Sequence, residues 1–227
     1  MIDTNRLDDI LSRVSKPARY TGGELGEIKK NIYAGMTRFA FCFPDVYEVG
    51  MSHLGTSILY HLLNTLPDVY AERCFAPWPD MEQALREAGL PLYSLETKTP
   101  LGEFDILGFS LSYEMSYTNV LAMLALAGLP LRAADRGEGF PLVIAGGGCT
   151  VNPEPMADFF DLFVIGEGEE VLVELVELYR RHRRAGTDRH AFLRAAAGIE
   201  GIYVPSLYDV TYNADGTVAE YTPKGDA

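Results

Sequence analysis

Positive charge is scarce in this chain. Across 227 residues, 19 Lys and Arg stand against 32 Asp and Glu, a formal net charge of −13. A surface of that sign repels nucleic acid and anionic lipid over most of its area, which argues against a nucleic-acid binder. Cysteine is scarce too. Cys42, Cys74 and Cys149 are odd in number and far apart. They make no disulfide framework and carry no metal-site spacing, so a reducing cytoplasm is the expected compartment and neither zinc nor an iron–sulfur cluster is expected on this chain. No apolar run reaches the roughly 20 residues of a membrane span. The opening MIDTNRLDDILSRV is acidic and lacks the continuous apolar core of a signal peptide.

What remains is a globular composition, 48% hydrophobic and 11% aromatic, long enough for one large domain with an appendage. Thr4 is placed to cap a short helix whose apolar face is Leu7, Ile10, Leu11 and Val14; Pro17 stops it. ARYTGGELGEIKKN reads as an extended arm, so residues 1–37 form a helix-and-arm segment. From residue 38 strands and helices alternate. RFAFCF is a strand, and SHLGTSILYHLLN a helix with Ser52 as cap and Leu54, Ile58 and Leu62 on one face. VYAERCF is a strand, Asp80–Ala88 a helix closed by Gly89, PLYSL a short strand and FDILGFSLS a strong one. A helix over Met115–Ala127 closes at Gly128. PLVIAGG and DLFVIG are strands, and EEVLVELVELYRRHRR is the helix after them.

Such alternation means βαβ units, right-handed crossovers and a mostly parallel sheet covered on both faces, over residues 38–200. In the tail, residues 201–227, GIYVPSLYDVTYNADGTVAEYTP alternates and turns at Asn213–Gly216, which predicts a β-hairpin or linker.

Ligands of open parallel sheets bind beyond the carboxyl ends of the strands. The polar and glycine-rich stretches PDVYEVGMSHLG, ERCFAPWPDME, SLSYEMSYTN, GGCTVNPEP and EGEE all fall on that edge. Gly146–Gly148 allows backbone N–H groups close to a ligand; a tight strand-to-loop turn would need glycine equally. No G-K-[ST] follows it and it is not G-x-G-x-x-G. Glu169 and Glu170, after Gly166, suit a helix start and repel a phosphate there. Ser110 and Ser112 can hydrogen-bond a planar polar ring over the sheet edge, or cap the next helix. Asp45, Glu48 and Glu114 are acids without a defined partner, and no catalytic triad assembles. Trp78 between two prolines reads as a packing residue. RRHRRAGTDRH sits where cations complement a helix end.

Five stretches in order, PDVYEVGMSHLGTSILYHLLN, ERCFAPWPDME, FDILGFSLSYEMSYTNVLAML, PLVIAGGGCTVNPEP and FFDLFVIGEGEE, resemble the N-terminal region of B12-binding-type radical SAM proteins, an uncharacterised branch often found beside a small radical-SAM-linked partner domain. The resemblance implies a flavodoxin-like (Rossmann-like), doubly wound α/β fold of cobalamin-binding type. It implies a downstream barrel whose C-x-x-x-C-x-x-C holds a [4Fe–4S] cluster that cleaves S-adenosylmethionine. This sequence has no such motif, so the expectation is an accessory domain, inactive alone, that covers the barrel in cis; a radical-SAM-linked partner domain is a further expected partner, and apolar surface otherwise covered by the barrel makes a homodimer an expectation too. The cobalamin-lining positions so implied are Asp45, Tyr47, Glu48, Gly50 and Gly55 in the first loop, Ser110 and Ser112, Gly146, Gly147 and Gly148, and Gly166.

One departure stands out. Cobalamin domains with a histidine below the cobalt use D-x-H-x-x-G. Here the window is Met51-Ser52-His53-Leu54-Gly55-Thr56, without the orienting carboxylate and with glycine one place early. His53 is therefore expected to be a first-turn helix residue, and neither a catalytic residue nor a metal ligand is assigned. Two other readings stay open: a degenerate scaffold that binds nothing, and a flavodoxin-like FMN or nucleotide binder, disfavoured because no loop is rich in phosphate-binding hydroxyls.

Overall fold

The structure, a computed structural model, describes residues 2–225. Five parallel strands, β1 (Thr37–Phe43), β2 (Val69–Phe75), β3 (Ile106–Ser110), β4 (Leu142–Gly146) and β5 (Leu162–Val164), lie in the order β2-β1-β3-β4-β5. This is the flavodoxin-like order, with its switch point between β1 and β3. β6 (Ile202–Tyr203) adds antiparallel to β5. The expected mostly parallel α/β fold with a C-terminal hairpin is what the chain forms.

Strand alternation builds the two cores. Ala40 and Cys42 of β1 point to one face, where α4 (Pro79–Ala88) and α5 (Tyr117–Leu126) pack with α1 (Thr4–Leu11). Phe39 and Phe41 point to the other, under α3 (Leu54–Thr65), α6 (Gly168–Ala185) and α7 (Arg189–Ala196). Gly89, Gly128 and Gly186 end helices or turns at φ of +61°, +73° and +67°, the left-handed conformation that favours glycine.

Several local expectations are corrected. Asp3, not Thr4, caps α1, because its carboxylate accepts from the Asn5 and Arg6 N–H groups. The buried face of α3 is Thr56, Tyr60, Leu63 and Asn64, while Leu54 and Ile58 are exposed. Polar atoms decide this: Asn64 bonds both the N–H and the carbonyl of Ala71 on β2, and the Tyr60 hydroxyl accepts from Ile28 of the arm. PLYSL forms no strand, only a single bridge from Tyr93 to Pro100, because the segment curls over β2 and Leu95 N–H donates to Arg73 O. The hairpin is β7 (Tyr208–Tyr212) with β8 (Val218–Pro223), turning at Asn213–Gly216 as expected, but Ile202 and Tyr203 belong to the main sheet. Helix α7 had no sequence expectation; Asp188 caps it by accepting from Ala191 N–H.

The arm and the 93–99 loop cover the outer strand β2. Lys30 Nζ reaches Leu66 O and Val69 O, and Tyr70 OH donates to Ile28 O. Inward charges also protect this edge from pairing with another chain. Arg38 pairs with fully buried Glu72, and Arg73 Nε lies 2.7 Å from Glu96, whose carboxyl burial pushes up to about 7.

The amino ends of the strands carry a belt of ion pairs. Asp68, Asp105 and Asp161 immediately precede β2, β3 and β5. Asp68 takes Arg180 and Arg184, Asp105 takes Arg183 at 3.0 Å, and Asp161 takes Arg189 at 2.7 Å and buried Arg136 at 3.5 Å. The basic run at the end of α6 thus ties that helix and α7 to the sheet. Among the described residues no helix is long and apolar enough to cross a membrane.

Candidate functional site

On the face shared by α3 and α6, side chains shrink toward the carboxyl ends of β3 and β4. β3 presents Ile106, then Gly108, then Ser110. β4 presents Leu142, then Ile144, then Gly146. The missing side chains leave a cavity of about 190 Å³ at the switch point. Phe39, Phe41, Ile144 and Val164 form its floor, Leu59 of α3 and Leu172 of α6 its walls, and Glu167 and Glu169 stand at the start of α6. The site is concave, mostly apolar, and carries a few polar groups, the usual build of a small-molecule cleft.

Of the positions implied by the family resemblance, Gly55, Ser110, Gly146, Gly147 and Gly166 line this cavity. Their roles differ. A Cβ on Gly146 or Gly166 would meet no atom within 4 Å, whereas one on Gly147, at φ +103°, would lie 2.8 Å from Leu111 O. Gly147 therefore serves a close backbone turn, with Leu111 N–H donating to Gly146 O and Cys149 N–H to Leu111 O. Ser110 Oγ has no hydrogen-bond partner among the described residues and is free for a ligand.

The other positions lie elsewhere. Asp45 accepts from Tyr113 OH at 2.8 Å, and with Asn119 Nδ2 donating to Pro44 O it ties the loops after β1 and β3 together. Tyr47, on α2 (Tyr47–Met51), packs edge-on against Phe75. A Cβ on Gly50 would lie 2.4 Å from the same ring, so α2 needs glycine there to dock. Glu48 is held down at about 2, first by Arg19 and also by Lys16. Ser112 is exposed beyond the strand, and Gly148 begins a 3₁₀ turn outside the cavity.

His53 is neither a first-turn residue nor remote from the site. It is the N-cap of α3: its Nδ1 accepts from Thr56 N–H at 3.1 Å and lies 2.9 Å from Thr56 Oγ1. The ring packs on Phe43 with centroids 5.1 Å apart and lines the cavity. Gly55 leaves room for it, since a Cβ there would come within 3.2 Å of His53 Cε1. Sequence reasoning missed Gly108, Phe39, Leu59, Glu167 and the cavity role of His53. Only Gly108 carried a signal, as a glycine inside a strand; a Cβ there would strike Phe39 at 2.5 Å.

Around the mouth, the loops after β1, β2, β3 and β4 expose Val49, Leu54, Trp78, Tyr113, Met115 and Val151. Leu54, Met115 and Val151 are 71%, 84% and 77% exposed, an apolar rim of the kind that marks an interaction face.

An imidazole ligates a metal through a nitrogen that carries no proton. Nδ1 of His53 accepts a backbone N–H, so in the neutral ring Nε2 bears the hydrogen. The lower-ligand role for cobalt does not fit this histidine. A flat, uncharged ring between Phe41, Leu59 and Leu172, with Ser110 at its edge, does fit the cavity. Glu167 and Glu169 place negative charge at the mouth, at the start of α6.

Residues 55–205, more than half of the chain, match the family described as radical SAM proteins, N-terminal. The chain is also 24% identical over 140 residues to an uncharacterized protein of Methanocaldococcus jannaschii, covering 60% of this chain and 26% of that relative. It thus spans about a quarter of the length of the relative it matches. No solved structure matches the chain at a significant level.

Proposed function

Because the chain belongs to the family of radical SAM proteins, N-terminal, we propose that it is the accessory domain that covers the barrel of such a protein and holds cobalamin in the cleft at its carboxyl edge. The cleft at the β1/β3 switch point carries this reading. It lies where a flavodoxin-like sheet binds its ligand, and small residues on two adjacent strands keep it open. Phe39, Phe41, Leu59 and Leu172 exclude water from a bound ring. Ser110 Oγ offers a donor or acceptor at the ring's edge. Glu167 and Glu169 at the mouth are placed to accept from amide N–H groups of the corrin side chains. When bound, cobalamin supplies cobalt-centred group transfer; the cluster and S-adenosylmethionine belong to the barrel. The apolar rim of Leu54, Met115 and Val151 is the surface the barrel buries.

Titrating hydroxocobalamin into the purified 227-residue chain, followed by visible absorbance and calorimetry, tests the cofactor claim. The expected result is saturable binding of one equivalent. Absence of any binding at high micromolar cobalamin would remove the cofactor and leave a scaffold that only docks on the barrel.

A further inference from the structure

His53 is an unusual choice for the cap it forms. Ser, Thr, Asp and Asn are the preferred N-caps, and any of them satisfies an orphan N–H with a shorter side chain. Histidine offers one thing they lack: a second ring nitrogen on the far side of the ring. With Nδ1 committed to Thr56 N–H, the hydrogen sits on Nε2. Nε2 makes no hydrogen bond to any described residue. The ring is held against Phe43 on one side, Gly55 leaves it space on another, and it lines the cavity. The cap therefore fixes both the tautomer and the orientation of a donor at the cavity wall.

We propose that His53 is a ligand-binding residue that acts as a hydrogen-bond donor through Nε2–H, not as a metal ligand. The cleft then selects a flat heterocycle with an acceptor atom toward His53. The inference rests on the reading of the cleft as the cofactor site.

Three measurements on the 227-residue chain test it. Long-range ¹H–¹⁵N NMR should show His53 as the Nε2–H tautomer in the free protein; an Nδ1–H tautomer would overturn the proposal. In the His53→Asn variant, asparagine retains a competent cap, so the melting temperature should hold while hydroxocobalamin affinity falls by ~10-fold, the worth of one hydrogen bond. Unchanged affinity at unchanged stability would make His53 a cap and nothing more. With ¹⁵N-histidine-labelled chain, the electron paramagnetic resonance spectrum of bound cob(II)alamin should show no ¹⁵N splitting; splitting would make His53 a cobalt ligand and contradict the donor role alone. If the wild-type chain binds no cobalamin, the reading of the cleft fails and takes the donor role with it.

Discussion

The closed perimeter of this sheet and its carboxyl edge are built by opposite rules. At the amino ends, Asp68, Asp105 and Asp161 each stand one residue before a strand and each receives an arginine from α6 or α7. Along β2, Arg38, Glu72, Arg73 and Glu96 pair inward beneath the arm and the 93–99 loop. The charged side chains there are paired inside the protein, with single nitrogens such as Arg38 Nε and Arg136 Nε left buried without a hydrogen bond. At the carboxyl edge the chain instead uses small residues, Gly108, Ser110 and Gly146, and leaves large apolar residues in water. The difference separates charges that hold the fold from a surface built to receive something else. It also disposes of the basic run at the end of α6, whose Arg180, Arg183 and Arg184 are engaged by aspartates.

Breaking the perimeter should cost stability and leave the cleft intact. Asp161 is the strongest test, since it accepts from Val143 N–H, Arg189 and the fully buried Arg136 side chain. Asp161→Ala leaves a buried guanidinium uncompensated, and we expect a loss of about 3–5 kcal/mol in urea unfolding.

Glu96 offers a test through pH. Its carboxyl, pushed up to about 7 by burial, is near ~4.3 in an unfolded chain. The folded state holds that proton more tightly. Its contribution is complete below pH ~4 and is lost as pH rises through about 7, a change on the order of 4 kcal/mol. Relative to Glu96→Gln, the wild-type chain should therefore lose stability between about pH 4 and about pH 7; parallel curves for the two would contradict the assignment.

Gly50→Ala sharpens the boundary between the regions, because Gly50 follows the first strand yet serves packing. Its Cβ would collide with Phe75, at a cost of about 1–3 kcal/mol, with cobalamin affinity of the folded protein unchanged.

Much of this was legible in the sequence. Apolar strands and glycine-closed helices are local signals, and the clustering of glycines and hydroxyls on one edge follows from strand direction alone. The first loop was not legible as it stands. Asp45, Tyr47, Glu48 and Gly50 have the composition of a ligand loop, but their partners, Tyr113, Phe75 and Arg19, come from distant parts of the chain. The buried face of α3 misled for the same reason: Asn64 and Tyr60 are polar, and only β2 and the arm satisfy them. His53 hid its role because a histidine in a cap is invisible to spacing arguments, and the cavity beside it is made by residues that are small.

The central claim is that the open carboxyl edge exists for a ligand, and Gly146→Val tests it most directly. A Cβ there enters empty space in the cavity, so valine should fill the cleft while keeping unfolding free energy within about 1 kcal/mol of the wild type. The account predicts that hydroxocobalamin raises the melting temperature of the wild-type chain and leaves that of Gly146→Val unmoved. Equal stabilisation of both would place the ligand outside the cleft and contradict the account.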